Sequence, residues 1–362
     1  MTALQATGLY DPAFEHDSCG FGLIANIDGK ASTWLVDQAF SALAKMSHRG
    51  GVNADGITGD GCGVLIYRAD AWLRALANEA SITIAEHFAA GLVFVDRDEV
   101  KADAAAQQLE RCLREEGVHP AGWRDVPVRD EPCGPLGRAS RPRIRQIFVN
   151  AADGMDEAAF DRALFRARRR SELALPDDEV FYVVSLAAAT IGYKAMAAPG
   201  RLRDVFPDLQ HAELESAAVT FHQRFSTNTS PNWKLAQPFR MLAHNGEINT
   251  IRANRNWALA RQPKLHSPLL DISDIGDHVS RSGSDSQSLD NMFELLVEGG
   301  IDLLASTRIL VPPAWSADEN LDQDLEAFYQ YYALHTEPWD GPAGLVMCDA
   351  RHAVCALDRN GL

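Results

Sequence analysis

The chain has 362 residues, 46% of them hydrophobic and 23% charged, the balance of a globular protein of one large domain or two ordinary ones. Against 34 Lys and Arg stand 50 Asp and Glu, and a formal net charge of -16 argues against nucleic acid or an anionic membrane surface as partner. No run approaches about 18 uninterrupted apolar residues. Residues 1–18 contain no Lys or Arg and no apolar core, so neither a membrane span nor a signal peptide is expected, and a cytoplasmic location follows as the default.

In chain order, residues 19–27 read as a strand closed by the turn Asp28-Gly29. Residues 33–47 place Leu35, Val36, Ala39, Phe40, Leu43 and Met46 at helical spacing, with Ser32 or Thr33 as a cap. The glycine-rich stretch 48–63 is loop, and 63–67 a short strand. A strand near 90–95, a helix near 98–116, a Pro/Gly-rich segment at 120–142, a strand near 143–149 and a helix near 155–173 follow. The basic run Arg166, Arg168, Arg169 and Arg170 reads as a solvated face at a helix C-terminus. Strands are expected over 180–187, 217–225 and 239–244, helices over 249–261 and 285–298, and a final strand pair over 343–349 and 352–358. Strands at both ends with helices between them predict layered α+β rather than a doubly wound sheet. No GxGxxG follows a strand and there is no GxxxxGK[ST], so nucleotide binding has no support.

Six cysteines lie at 19, 62, 112, 133, 348 and 355, with no CxxC and no Cys–His cluster at ligand spacing. No metal, cofactor or disulfide framework is expected within this chain. Cys62, flanked by glycines before an apolar strand, reads as core. Cys19 is a strand cysteine that also reads as core when internal. At a chain terminus it would carry its own base, because an α-amine titrates around 7.7–8.0, close to the optimum for general-base catalysis.

Three other segments could carry chemistry. Residues 221–249 put Arg224 at a strand end, where its fork could pair with a carboxylate, and Asn245-Gly246 where a side-chain amide and a backbone N–H could meet an oxyanion. The same stretch could be a β-hairpin with Asn-Gly as its turn and Arg224 in a surface salt bridge. Residues 282–287 (SGSDSQ) place Asp285 before an apolar-periodic helix, either as a helix cap or as a partner for a substrate ammonium. Arg224 and Asp285 together would recognise both charged ends of an α-amino acid. The third segment is His48-Arg49-Gly50 with the glycine-rich run through Gly63.

Read together, the strand CGFGLIA, MSHRG with ADGITGDGCG, HQRFSTNTSPNWKLAQPFRMLAHNGEINT, SRSGSDSQSLDN and LDRNGL resemble, in order and over residues 19–362, the class II (N-terminal-nucleophile, Ntn) glutamine amidotransferases. Within these they resemble most closely the glutaminase domain of the glutamate synthase large subunit. The resemblance implies a four-layer αββα sandwich and removal of residues 1–18 as a leader to expose Cys19 as nucleophile. It implies that Arg224 binds the α-carboxylate of L-glutamine, Asp285 the α-ammonium, and Asn245 with Gly246 the oxyanion. Arg49 would lie near the nucleophile, and Thr227 and Asn228 in a loop closing over glutamine. It further implies downstream synthase domains beyond Leu362 with FMN and an iron–sulfur cluster, 2-oxoglutarate as acceptor of the ammonia, and a small reductase subunit as partner. Another class II amidotransferase, a stand-alone glutaminase, and a non-catalytic module that kept the fold are the alternatives. Residues 68–215 have no functional reading.

Overall fold

The strands of the computed structural model, which describes residues 20–224, 232–349 and 351–359, pair antiparallel throughout. They are β1 (Phe21–Ala25), β2 (Cys62–Tyr67), β3 (Phe88–Val95), β4 (His119–Asp125), β5 (Arg143–Asn150), β6 (Tyr182–Ala187), β7 (Thr190–Ala195), β8 (Ala218–His222), β9 (Leu242–Gly246), β10 (Ala343–Cys348) and β11 (Ala353–Leu357). The helices are α1 (Thr33–Lys45), α2 (Asp70–Glu79), α3 (Glu99–Glu115), α4 (Gly134–Ala139), α5 (Glu157–Ala174), α6 (Leu202–Val205), α7 (Ile251–Arg261), α8 (Asp285–Glu298), α9 (Leu303–Leu310) and α10 (Gln323–Ala333). Three sheets result, with strand orders β1-β8-β2-β7, β11-β10-β9 and β4-β5-β3-β6.

Side-chain alternation decides what each sheet packs against. Val219 and Phe221 of β8 join Val64 and Ile66 of β2 and Leu35, Phe40 and Leu43 of α1 in one core. The intervening residues of β8 face the second sheet, and β8 and β1 both contact β9 and β10. Leu242 of β9 and Leu345 and Met347 of β10 pack with Leu289, Phe293 and Leu303 of α8 and α9. Val93, Ile147 and Val183 of the third sheet are covered by Leu109 and Leu113 of α3 and Phe160 and Leu164 of α5. Helices and antiparallel sheets are thus layered as α+β. The helix over 285–298 and the closing strand pair fall where the sequence predicts them.

Three expectations are corrected. The Pro/Gly-rich start of 120–142 is strand β4, because β5 offers it a full antiparallel ladder with an irregularity between Pro120 and Gly122. Residues 221–249 are not a hairpin: β8 and β9 belong to different sheets, so Asn245-Gly246 is a strand end and not a turn. The arginine run is not a solvated face. Arg168 is 2% exposed and donates to Glu172 at 3.2 Å and to Glu294 of α8 at 2.9 Å. Arg166 and Arg170 reach Glu116 at 2.6 and 3.0 Å. Acids on separate elements, brought to α5 by folding, draw the run inward.

Arg240, also buried, completes this seam. Its guanidinium donates to the Val183 carbonyl at 2.7 Å and lies 3.3 Å from Glu172 and 3.5 Å from Glu294. Asp290 accepts the backbone N–H groups of Met241 and Leu242 at 2.9 and 3.2 Å, and so fixes the start of β9. Arg240→Met leaves Glu172 and Glu294 to Arg168 and Arg169 alone and removes the bond to Val183, and is expected to cost about 1–3 kcal/mol in denaturant unfolding.

Beside the seam, Glu298 lines a cavity of about 380 Å³ together with Asp161. Burial, with the Asp161 and Glu294 carboxylates nearby, pushes Glu298 up to about 8 from 4.5. Between those values the native state holds a proton that the unfolded chain has lost, so this group's contribution to stability declines as pH rises through that window. Glu298→Gln, neutral at every pH, is expected to melt above the wild type at pH 8 and level with it near pH 4.5. Equal gains at both pH values would contradict the assignment.

Candidate active site

The first sheet brings the start of β1 beside the end of β8. Phe21 opposes His222, and one step further the Gln223 N–H donates to the Gly20 carbonyl at 2.7 Å. Gly20 lets the Gln223 side chain lie close, since an added Cβ would sit 2.4 Å from Gln223 Nε2 and push it aside. Cys19, the residue before Gly20, lies outside the described residues, as do Thr227 and Asn228. The described chain therefore begins, at Gly20, next to Gln223.

Arg224 follows Gln223 with its side chain 46% exposed and Nε 3.6 Å from Asp60 Oδ2. The same Asp60 oxygen accepts the Gly51 N–H at 2.9 Å. Arg49 ends the short turn Met46–Arg49 that follows α1. Gly50 then runs against Gln223, whose Oε1 would be 2.8 Å from an added Cβ. The MSHRG and GDGCG loops and the Arg224 arm are thus held together. Part of the support comes from the segment that had no functional reading. Thr58, fully buried, accepts the Gly137 N–H of α4 at 3.3 Å, and Asp55 accepts the Leu136 N–H at 3.3 Å. Trp233 Nε1 donates to the Gly137 carbonyl at 3.0 Å, so α4 props the loop before Cys62 and the stretch after 231 alike. Cys62 is fully buried in core, and burial drives its thiol far above the ordinary range.

Asn245 and Gly246 end β9, opposite Gly344 and Ala343 of β10. Directly opposed residues share a face. Gly344 meets Phe21 there, with 2.8 Å between its hypothetical Cβ and the ring. Asn245 therefore points to the side on which β1 begins. Gly246 has φ +146, and a Cβ on it would fall 1.8 Å from the Pro342 carbonyl oxygen.

β9 is an edge strand, so its outward backbone groups need other partners. Gln237 supplies them as a strand would: its Oε1 accepts the His244 N–H at 2.8 Å and its Nε2 donates to the His244 carbonyl at 2.9 Å. His222 Nε2 adds a second bond to that carbonyl at 3.1 Å. His244 itself is buried, and burial lowers its pKa. Its Nδ1 lies 2.7 Å from Ser286 Oγ and 3.9 Å from Asp285 Oδ2.

Asp285 is not the helix cap. Ser284 takes that place, accepting the Gln287 N–H at 3.0 Å. As the first helical residue, Asp285 turns its carboxylate to the chain leaving β9. Oδ2 accepts the Ile248 N–H at 2.9 Å and Oδ1 the Ser286 N–H at 2.7 Å. Oδ1 also accepts the Ser286 hydroxyl at 3.2 Å, so Oδ2 is the oxygen that keeps a lone pair.

Structure thus adds Asp60, His222, Gln223, Gln237 and Ser286 to the site. All five lie inside the motif segments quoted above, and His222 also shares a strand face with position 224 two residues on. What each of them contacts is set by packing between elements. Among the described residues no group of three or more His, Cys, Asp or Glu is arranged to hold a metal ion, and no helix is long and apolar enough to cross a membrane.

Comparison with known proteins assigns the ancestry of this arrangement. The family described as glutamine amidotransferases class-II matches residues 19–362. The chain belongs to that family. It is 37% identical over 362 residues to the glutamate synthase [NADPH] large chain of Bacillus subtilis (strain 168), covering 99% of this chain and 24% of the relative. The glutamate synthase [NADPH] large chain of Azospirillum brasilense is 39% identical over 370 residues, with 99% and 24% covered. Ferredoxin-dependent glutamate synthase 2 of Synechocystis sp. (strain ATCC 27184 / PCC 6803 / Kazusa) is 38% identical over 355 residues, with 96% and 23% covered. The chain therefore spans about a quarter of the length of these relatives.

Gly246→Ala tests whether the β9 terminus tolerates a side chain. Positive φ alone should cost about 1–3 kcal/mol, and the clash with Pro342 more. A wild-type unfolding midpoint for this variant would refute the close approach.

Proposed function

We propose that this chain is the glutaminase portion of a glutamate synthase, hydrolysing L-glutamine through Cys19 exposed as the first residue of the mature chain. The observation that carries the reading is that the family match starts at Cys19, the residue next to Gly20 at the junction of β1, Gln223 and Arg224. The fold in this reading is the αββα sandwich of the Ntn hydrolases: α1 and α2, the β1-β8-β2-β7 sheet, the β9–β11 sheet, then α8 and α9.

The chemistry follows from the groups at hand. The Cys19 thiolate attacks the side-chain amide carbon, and charge develops on the amide oxygen. The Asn245 side-chain amide and the Gly246 N–H receive that charge; a single such donor is worth about 10²–10³ in rate in a comparable enzyme. The α-amine of Cys19 takes the thiol proton and delivers it to the departing ammonia, and water releases glutamate from the thioester. Arg224 binds the α-carboxylate, exchanging its long 3.6 Å pairing with Asp60 for a bidentate one. Asp285 offers the remaining lone pair of Oδ2 to the α-ammonium. Arg49 borders the nucleophile, and Thr227 and Asn228 close over the substrate.

In a complete synthase the ammonia passes to 2-oxoglutarate in downstream domains that hold FMN and an iron–sulfur cluster, served by a small reductase subunit in the cytoplasm. This chain supplies the glutaminase step and binds neither cofactor in this reading.

Intact mass and glutamine turnover of the expressed chain test the proposal together. The expected mature mass begins at Cys19, and Cys19→Ala is expected to abolish hydrolysis. A turnover-competent chain that still begins at Met1, or a Cys19→Ala variant with wild-type rate, would sink it.

A further inference from the structure

We propose that His222 is a positioning residue, a single ring that holds the Arg224 arm and the Asn245–Gly246 strand end in one fixed relation. This rests on the functional reading above. β8 and β9 lie in different sheets, so no ladder sets their spacing at the site. His222, the last residue of β8, is 3% exposed and spans the gap beside Gln237, whose N–H donates to the Arg224 carbonyl at 3.3 Å and whose side chain holds His244. Its Nδ1 accepts the Arg224 N–H at 2.9 Å. Its Nε2 lies 3.1 Å from the His244 carbonyl oxygen, one residue before Asn245.

The two bonds demand one tautomer. A backbone N–H can only donate and a carbonyl can only accept, so Nδ1 is bare and Nε2 carries the proton. Burial pushes the ring down to about 3, which keeps it neutral in any ordinary assay. A second proton would turn Nδ1 into a donor facing the Arg224 N–H. The ring is also no part of the proton relay, since the α-amine of Cys19 fills that role. What the imidazole supplies is distance: the carboxylate anchor and the oxyanion donors grip opposite ends of one glutamine. An error of about 1 Å between such groups costs on the order of 10²-fold.

Two substitutions divide the ring into halves. The Asn side-chain oxygen occupies roughly the place of Nδ1, so His222→Asn keeps an acceptor for Arg224 and loses the bond to His244. The Gln amide nitrogen reaches roughly as far as Nε2, so His222→Gln keeps the donor to His244 and releases Arg224. Steady-state glutamine hydrolysis by the full chain, with melting temperatures recorded alongside, should separate them. His222→Gln is expected to raise KM at least about fivefold with kcat within about twofold, while His222→Asn lowers kcat at least about tenfold with KM little changed. If both variants behave as wild type, or both lose kcat and KM together in step with melting temperature, the ring is merely structural and the assignment falls. A wild-type chain that does not hydrolyse glutamine overturns the functional reading and this assignment with it. Wild-type turnover without the split overturns the assignment alone.

Discussion

The carbonyl of His244 is where the two halves of the site are joined. It belongs to an edge strand and points away from its only ladder partner, β10. A buried carbonyl in that position must find donors. It finds two, from Gln237 and from His222, and each arrives from a different part of the chain. Satisfying one backbone group therefore fixes β9 against β8. With β8 come Arg224 and the start of β1, and with β9 come Asn245 and Gly246.

Around this junction the protein uses buried charge where an apolar core would not specify a register. Asp290 accepts N–H groups at the start of β9, while Arg240 crosses to Val183 on β6. Lys194 is treated similarly: it is buried, its Nζ donates to the Lys234 carbonyl at 2.7 Å, and it rests about 5 Å from the rings of Tyr182 and Phe239. Burial holds its pKa well below the usual lysine range. Each of these groups is costly to bury and is tolerated through directed hydrogen bonds. The segment between β2 and β8 belongs to the same economy of support. Its third sheet builds a core of its own with α3 and α5, and α4 reaches back to brace the loops around Arg224.

Legibility differed by element for physical reasons. Helix α8 was plain because its apolar residues recur with helical period and nine of its residues are buried, though its cap is Ser284 and not Asp285. Strand β4 was hidden because Pro120 and Gly122 are poor strand formers alone, and only pairing with β5 outweighs that. The arginine run was misread because charge on one helix says nothing of the acids at the end of α3 and on α8 that will meet it. Asp285 stood out in the sequence beside an apolar-periodic helix, but its hydrogen bonds to Ile248 and Ser286 depend on how α8 meets the end of β9.

Sequence alone settled the family, the α+β class and the order of the motif segments, because those follow from residue identity and local spacing. Tertiary structure alone decided that residues 221–249 span two sheets, that His222 and Gln237 share one carbonyl, and that α4 carries the loops of the site. These are contacts between residues distant in the chain or in different sheets. Their energy comes from burying polar groups that no single segment can satisfy by itself.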